Sequence, residues 1–96
     1  MGIPEMLGPQ RETIIALASK HGARNIRVFG SVARGDADAR SDVDFLIDLE
    51  PGRSMFDVGG LLSDLQALLK RDVDVVTERG LRDRIRDRVL REAVSL

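Results

Sequence analysis

Two aspartates separated by one residue, Asp42 and Asp44, are the side chains of this sequence best suited to catalytic chemistry. Apolar residues take the alternate positions of the segment 42–49, which predicts a β-strand with one apolar face. Both carboxylates therefore leave the opposite face, with Cα atoms about 6–7 Å apart. This spacing suits one divalent cation, or two cations about 3.5–4 Å apart that share a carboxylate.

A Gly-Ser pair, Gly30 and Ser31, precedes Asp42 with ten residues between them. The pair follows a predicted short strand and opens a turn or short helix over 31–35, where backbone N–H groups can bind a phosphate. Glycine permits close approach of that phosphate, and the Ser31 hydroxyl can donate a further hydrogen bond. The segment 32–50 carries a net charge of −4, so a phosphate beside it requires cations.

A third carboxylate is available from another predicted strand, over 72–77. Asp72 and Asp74 share one face of this strand by the same alternation, so their spacing does not distinguish them. Asp74 lies deeper in the strand, which favours it as the third acidic residue of the site.

The composition excludes several other kinds of chemistry. No cysteine is present and His21 is the single histidine, which excludes thiolate zinc sites, cysteine nucleophiles and histidine-rich metal sites. A P-loop is also excluded, because Asp36 follows Gly35 where that motif requires lysine. The net charge of −1, the three phenylalanines as the only aromatic residues and the short apolar runs argue against direct nucleic-acid binding and against a membrane span. We therefore expect a soluble, cytoplasmic protein.

The elements that must position these residues follow from the apolar periodicity. We expect a flexible lead-in over 1–9 and a single domain over 10–96. The predicted helices cover 10–21, the segment from Ser54 or Asp57 to Lys70, and 81–94. The predicted strands cover 25–29, 42–49 and 72–77. This order indicates an α/β domain with a small mixed sheet flanked by helices.

The combination of Gly30-Ser31, ten further residues and Asp42-Val43-Asp44 resembles the GSx10DxD signature of the DNA polymerase β-like nucleotidyltransferase superfamily. The sequence is most similar to the minimal nucleotidyltransferases, which are the antitoxin partners of HEPN-domain ribonuclease toxins. The stretches that carry this resemblance read GSVARGDA, SDVDFLIDLE, VDVVTERGL and RVLREAVSL. They extend over nearly the whole chain from about Ile26.

The resemblance implies a polymerase β-like fold and a transfer of AMP from ATP that uses two Mg²⁺ ions. In that family pattern, Gly30 and Ser31 hold the triphosphate, while Asp42 and Asp44 bind both metal ions. Asp74 completes the metal site and helps to deprotonate the acceptor hydroxyl.

Arg34 is a candidate for neutralising phosphate charge in the same pattern. From the sequence alone, a salt bridge from Arg34 to Asp36 or Asp38 is an equally good interpretation. The last predicted helix carries five arginines against three acids, which fits either a solvated face or a partner surface.

The resemblance implies a protein adenylyltransferase that silences a HEPN-type toxin by modifying a hydroxyl, in the known systems a tyrosine. Because 96 residues are too few to enclose an acceptor as well as a nucleotide, the acceptor is expected on a partner protein in a hetero-oligomer. Two alternatives stay open. The chain could neutralise its toxin by binding alone, or it could be the catalytic subunit of a small-molecule nucleotidyltransferase.

Overall fold

The computed structural model describes all 96 residues. Its helices are α1 (Ile3–Leu7), α2 (Arg11–Lys20), α3 (Gly30–Arg34), α4 (Met55–Leu69) and α5 (Asp83–Glu92). Its strands are β1 (Ala23–Phe29), β2 (Val43–Leu49), β3 (Val73–Thr77) and β4 (Val94–Ser95). Short 3-10 turns over Gly8–Gln10 and Glu78–Gly80 complete the chain.

The four strands form one mixed sheet in the order β3-β2-β1-β4. β2 lies inside the sheet, antiparallel to β1 and parallel to β3. Its residue Asp44 is paired with Phe29 on one side and with Asp74 on the other. The mixed sheet and its flanking helices confirm the predicted fold class.

The two faces of the sheet are packed unequally. One face, with α1, α2 and α4, forms the main core of 16 buried residues, which include Phe45 and Ile47 of β2 at 0 % exposure. The other face carries a smaller cluster in which Leu46 packs with Leu81 and Val89. Because side chains alternate along β2, the aspartates share this second face with Leu46, beside α5.

Helix α4 provides the connection between the parallel strands β2 and β3. Ser54 caps its first turn, since its hydroxyl accepts from the Phe56 N–H at 3.2 Å while Asp57 accepts from the Ser54 N–H at 2.9 Å. Lys70 ends the helix in the left-handed conformation. This helix therefore begins and ends within the predicted bounds, and it delivers the chain to β3 next to β2.

Two parts of the chain differ from the expected elements. The predicted lead-in 1–9 contains α1 because Leu7, 1 % exposed, packs into the main core. The last helix ends at Glu92 instead of continuing to Val94, since the backbone becomes extended at Ala93 and β4 pairs with β1. No helix of this chain combines the length and the apolar character needed to cross a membrane.

Candidate active site

Asp44 is the centre of an acidic group at the beginning of β2. The parallel register places Asp74 of β3 directly beside it, and Asp42 precedes it on the same face. Burial raises the pKa of Asp44 to about 6, with further contributions from the charges of Asp74, Asp42 and Glu92. The structure thus brings together the three predicted aspartates. It adds the carboxylate of Glu92, which the sequence did not indicate.

The backbone of Gly30 lies against the Asp44 carboxylate. β1 ends at Phe29, the pairing partner of Asp44, and the chain turns directly into α3. Gly30 has φ +76°, and a Cβ at this position would overlap the Oδ2 atom of Asp44. Glycine is therefore required both by the left-handed backbone and by the contact with the aspartate.

Glu92, the last residue of α5, bonds to the residues predicted to hold phosphate. Its Oε2 accepts from the Gly30 N–H at 2.8 Å, and its Oε1 accepts from Arg34 Nη1 at 2.7 Å. Burial alone would raise the pKa of Glu92, but the hydrogen bonds from Arg34 and Gly30 hold it below its ordinary value. The carboxylate is therefore an anion bound by two donors and 15 % exposed.

Arg34 takes part in ion pairs in this structure. Besides Glu92, its guanidinium contacts Asp36 with an Nε–Oδ2 distance of 3.3 Å. Asp38 instead accepts hydrogen bonds within its own loop, from the Arg40 N–H and the Ser41 hydroxyl. The salt bridge that the sequence allowed is thus formed with Asp36. The side chain remains half exposed, so the same guanidinium is accessible to a ligand.

Asp74 and Asp72 differ in what they contact. Asp74 is paired with Asp44 and contributes to its raised pKa. Asp72 supplies a backbone carbonyl to the Val43 N–H at 3.1 Å and has no comparable effect on Asp44. This placement is consistent with the preference for Asp74. Ser31 lies in the first turn of α3, partly buried, next to Gly30.

The acidic group suits a hard cation by its chemistry. Carboxylate oxygens are the ligands that Mg²⁺ prefers. A cation would favour the ionised form of Asp44, whose pKa is raised by burial and by the neighbouring carboxylates. The side chains do not form a preassembled metal cage, because no three His, Cys, Asp or Glu residues are arranged to hold one ion jointly. Rotation of the exposed Asp42 and Asp74 side chains would be needed to close around a metal.

The largest cavity of the chain lies elsewhere, at the opposite end of β2 and β3. It encloses about 510 Å³ and is lined in part by Glu50, Arg53 and Arg79. None of the predicted site residues lines it. The aspartates instead lie on an open surface, which suits a large acceptor better than an enclosed small molecule.

Residues 11–96 match the nucleotidyltransferase domain family. The chain belongs to this family. It is similar to the protein adenylyltransferase MntA of Thermococcus cleftensis, with 44 % identity over 78 residues that cover 81 % of this chain and 79 % of that protein. It is also similar to a proposed protein adenylyltransferase of Methanocaldococcus jannaschii, with 35 % identity over 86 residues that cover 90 % of this chain and 92 % of that protein. By homology this nucleotidyltransferase is therefore an enzyme of the adenylyltransferase type, related to the MntA antitoxin.

Solved structures agree with this assignment. A proposed minimal nucleotidyltransferase superimposes with a TM-score of 0.87 at 48 % identity, over 100 % of this chain and 97 % of the other. A toxin–antitoxin crystallised with AMP-PNP shares the fold with a TM-score of 0.77 at 23 % identity, over 90 % of this chain and 71 % of the other. The predicted family is confirmed.

Sequence reasoning missed the contact of Glu92 with Gly30 and Arg34. Glu92 follows Arg91 in an arginine-rich amphipathic helix, where one acid is typical of a solvated surface. The contact joins residues 62 positions apart, and no local pattern encodes such a distance. It depends on where α5 ends relative to β1, which only the tertiary structure defines.

Proposed function

We propose that this chain transfers AMP from ATP to a hydroxyl group, most simply a tyrosine, of a HEPN-type ribonuclease toxin, and that it acts as the antitoxin. The observation that carries the proposal is the convergence of Gly30, Asp44 and Asp74 at one edge of the sheet. A backbone that can approach phosphate thus lies against carboxylates that can hold divalent cations. The similarity to named protein adenylyltransferases supports the choice of a protein acceptor.

The residues divide into two roles. The Gly30 and Ser31 N–H groups and the Ser31 hydroxyl bind the triphosphate, and Arg34 neutralises part of its charge. Asp42 and Asp44 hold two Mg²⁺ ions, and Asp74 completes the set. Bound Mg²⁺ supplies charge neutralisation at the phosphates.

The transfer itself is an in-line displacement at the α-phosphorus. The acceptor oxygen forms a bond to that phosphorus while the bond to the bridging oxygen of the leaving pyrophosphate breaks. The carboxylate of Asp74 accepts the proton of the acceptor hydroxyl. Because Asp74 is exposed at the sheet edge, a hydroxyl on a second protein can reach it.

The acceptor belongs to a second molecule in this proposal. The chain contains no tyrosine, so it cannot modify itself on that residue. The fold relatives support a protein partner, since they include a toxin–antitoxin variant in which a tyrosine is replaced by alanine. Another variant of that complex replaces two aspartates, two positions apart, by glutamate.

The test is the intact mass of a candidate HEPN-type toxin, sought among the products of the neighbouring genes, after incubation with this protein, ATP and Mg²⁺. We expect a gain in whole AMP units that is lost with Asp42→Asn/Asp44→Asn. Asp74→Asn should lower the rate by at least about 100-fold, because the proton acceptor is lost, while the matched Asp72→Asn should leave it nearly unchanged. No gain in a mixture where the proteins still bind each other would instead favour neutralisation by binding alone.

A further inference from the structure

One carboxylate occupies two of the groups that the proposed nucleotide site offers to phosphate outside its metal ligands. The two oxygens of Glu92 are shared between the Gly30 N–H at 2.8 Å and Arg34 Nη1 at 2.7 Å. Both distances are those of strong, charge-assisted hydrogen bonds. Glu92 therefore binds here as an external anion would, with its two oxygens directed to two different donors.

The Gly30 N–H cannot serve Glu92 and a phosphate together, whereas the guanidinium of Arg34 has further donors. A backbone N–H has a single hydrogen to donate, and the Gly30 N–H is fixed by the turn between β1 and α3. A phosphate bound to the Gly30 N–H would also lie next to the Glu92 carboxylate, close to Asp44. The phosphate and Glu92 would then repel each other. Binding of a phosphate to the Gly30 N–H thus requires the departure of Glu92 from it.

We propose that Glu92 is an internal competitor of the nucleotide, which holds the Gly30 N–H and Arg34 in the free protein and must be displaced before the phosphates of ATP can bind the Gly30 N–H. This inference rests on the proposed function and adds a regulatory contact to the same site. It assigns to α5 an inhibitory role through its final residue.

The position of Glu92 makes this displacement feasible. Glu92 is the last residue of α5. The helix is held in place one turn earlier by the buried Val89, and before that by Arg86, which donates to the Glu78 carbonyl at 2.8 Å. The two-residue strand β4 follows directly. Release of the Glu92 side chain therefore loosens only the last turn of α5 and β4, and it leaves the packed part of the helix in place.

The contact also prepares Arg34 for its ligand. Glu92 and Asp36 hold the guanidinium beside Gly30 in the free protein. When Glu92 leaves, the Nη1 donor of this already ordered guanidinium becomes available to phosphate, while Asp36 still orients it. Glu92 thus lowers the affinity of the protein for nucleotide. At the same time it holds Arg34, one of the groups proposed to bind the nucleotide, in place.

The experiment measures binding of AMP-PNP with Mg²⁺ by isothermal titration calorimetry. Glu92→Gln retains the size of the side chain but presents an amide in place of one carboxylate oxygen, which weakens the bond to Arg34. We expect the variant to bind AMP-PNP about tenfold more tightly than the wild type. Adenosine, which has no phosphate, should show no such gain.

The matched control is Asp87→Asn, which removes the same charge from an exposed position of α5 without touching Gly30 or Arg34. It should change the affinity less than twofold. The difference between the two variants should persist at 0.5 M salt, where the Debye length is about 4 Å, because contact competition is screened less than long-range repulsion. Equal affinities for wild type and Glu92→Gln would overturn the inference while leaving the proposed nucleotide site intact. An absence of AMP-PNP binding in both would overturn the proposed function as well.

A second measurement uses the wild-type protein alone, so it does not depend on the folding of a variant. Amide hydrogen exchange of residues 92–96 should become faster when AMP-PNP and Mg²⁺ are added, because Glu92 no longer holds the end of α5. Slower or unchanged exchange in this segment, at saturating nucleotide, would contradict displacement.

Discussion

Burial raises the pKa of Asp44 to about 6, and the carboxylates that approach it add to this effect. A carboxyl group with a raised pKa binds its proton more tightly in the folded than in the unfolded protein. Folding is therefore most favoured by this group below the ordinary pKa near 4, and that contribution is lost as the pH rises through about 6. At neutral pH the metal-free site destabilises the fold that carries it.

Asp44→Asn should therefore stabilise the metal-free protein at pH 7.5. The full shift corresponds to about 3 kcal/mol, and solvent screening at a half-buried carboxylate reduces the expected gain to about 1 kcal/mol. The gain should shrink to nearly zero at pH 4, where the native aspartate is protonated. Urea unfolding at the two pH values measures both quantities. Asp72→Asn is the matched control. An Asp44→Asn protein that is less stable than wild type at pH 7.5 would contradict the raised pKa of Asp44.

At the level of elements, the junction of β1 and α3 brings the backbone proposed to bind phosphate to the carboxylate proposed to bind metal. This junction exists because β1 and β2 are antiparallel and pair Phe29 with Asp44, so that the chain leaves β1 beside the aspartates. The left-handed conformation of Gly30 then turns the chain into α3 without a side chain in the way.

Gly30→Ala tests this junction, with Gly52→Ala as its control. Both glycines have positive φ, at +76° and +87°, so both substitutions carry a backbone cost of about 1–2 kcal/mol. A methyl group at Gly52 meets nothing within 4 Å, whereas at Gly30 it must displace the Asp44 carboxylate. We expect Gly30→Ala to lower the transfer rate by about 100-fold and Gly52→Ala to leave it within a factor of two. Similar rates for the two variants at equal folded fraction would show that the contact with Asp44 is immaterial.

The helices and strands also show which features could be predicted from the sequence. Alternation in 42–49 and the apolar period of α4 are local signals, and the structure reproduces both. α1 and β4 were missed because each is stabilised by distant parts of the chain: Leu7 by the main core, and Val94 by its pairing with Val28. For the same reason the sequence could identify Gly30 and Asp44 as candidates but could not identify Glu92 as their neighbour.

In the whole molecule, the main core and the proposed site lie on different faces of one sheet. The main core covers one face, and the other carries the aspartates together with a small apolar cluster under α5. Ligands of the acidic edge can therefore bind without opening the main core. Since they bind the folded chain and not the unfolded one, their binding adds to the global stability.

Addition of 10 mM MgCl₂ should accordingly raise the midpoint of thermal unfolding, by about 4 °C or more if the concentration is about tenfold above the dissociation constant. The rise should disappear in Asp42→Asn/Asp44→Asn, which lacks the proposed ligands. Glu12→Gln/Asp87→Asn changes the net charge equally at exposed positions and should keep the full rise. Circular dichroism measures the unfolding transition. A control with NaCl at the same ionic strength corrects the midpoint for the effect of salt screening. A rise of the same size in both double variants would point to general charge effects.

The parallel pairing of β2 with β3 has a practical consequence for work with this protein. A slip of one residue would set Val73 or Val75 beside Asp44 and turn Asp74 toward the main core. A slip of two would present Asp72 or Val76 in place of Asp74. A misaligned molecule could thus keep much of its secondary structure and still be inactive. The specific activity of a preparation then reports the fraction of molecules with the correct β2–β3 register. Circular dichroism alone would overestimate this fraction.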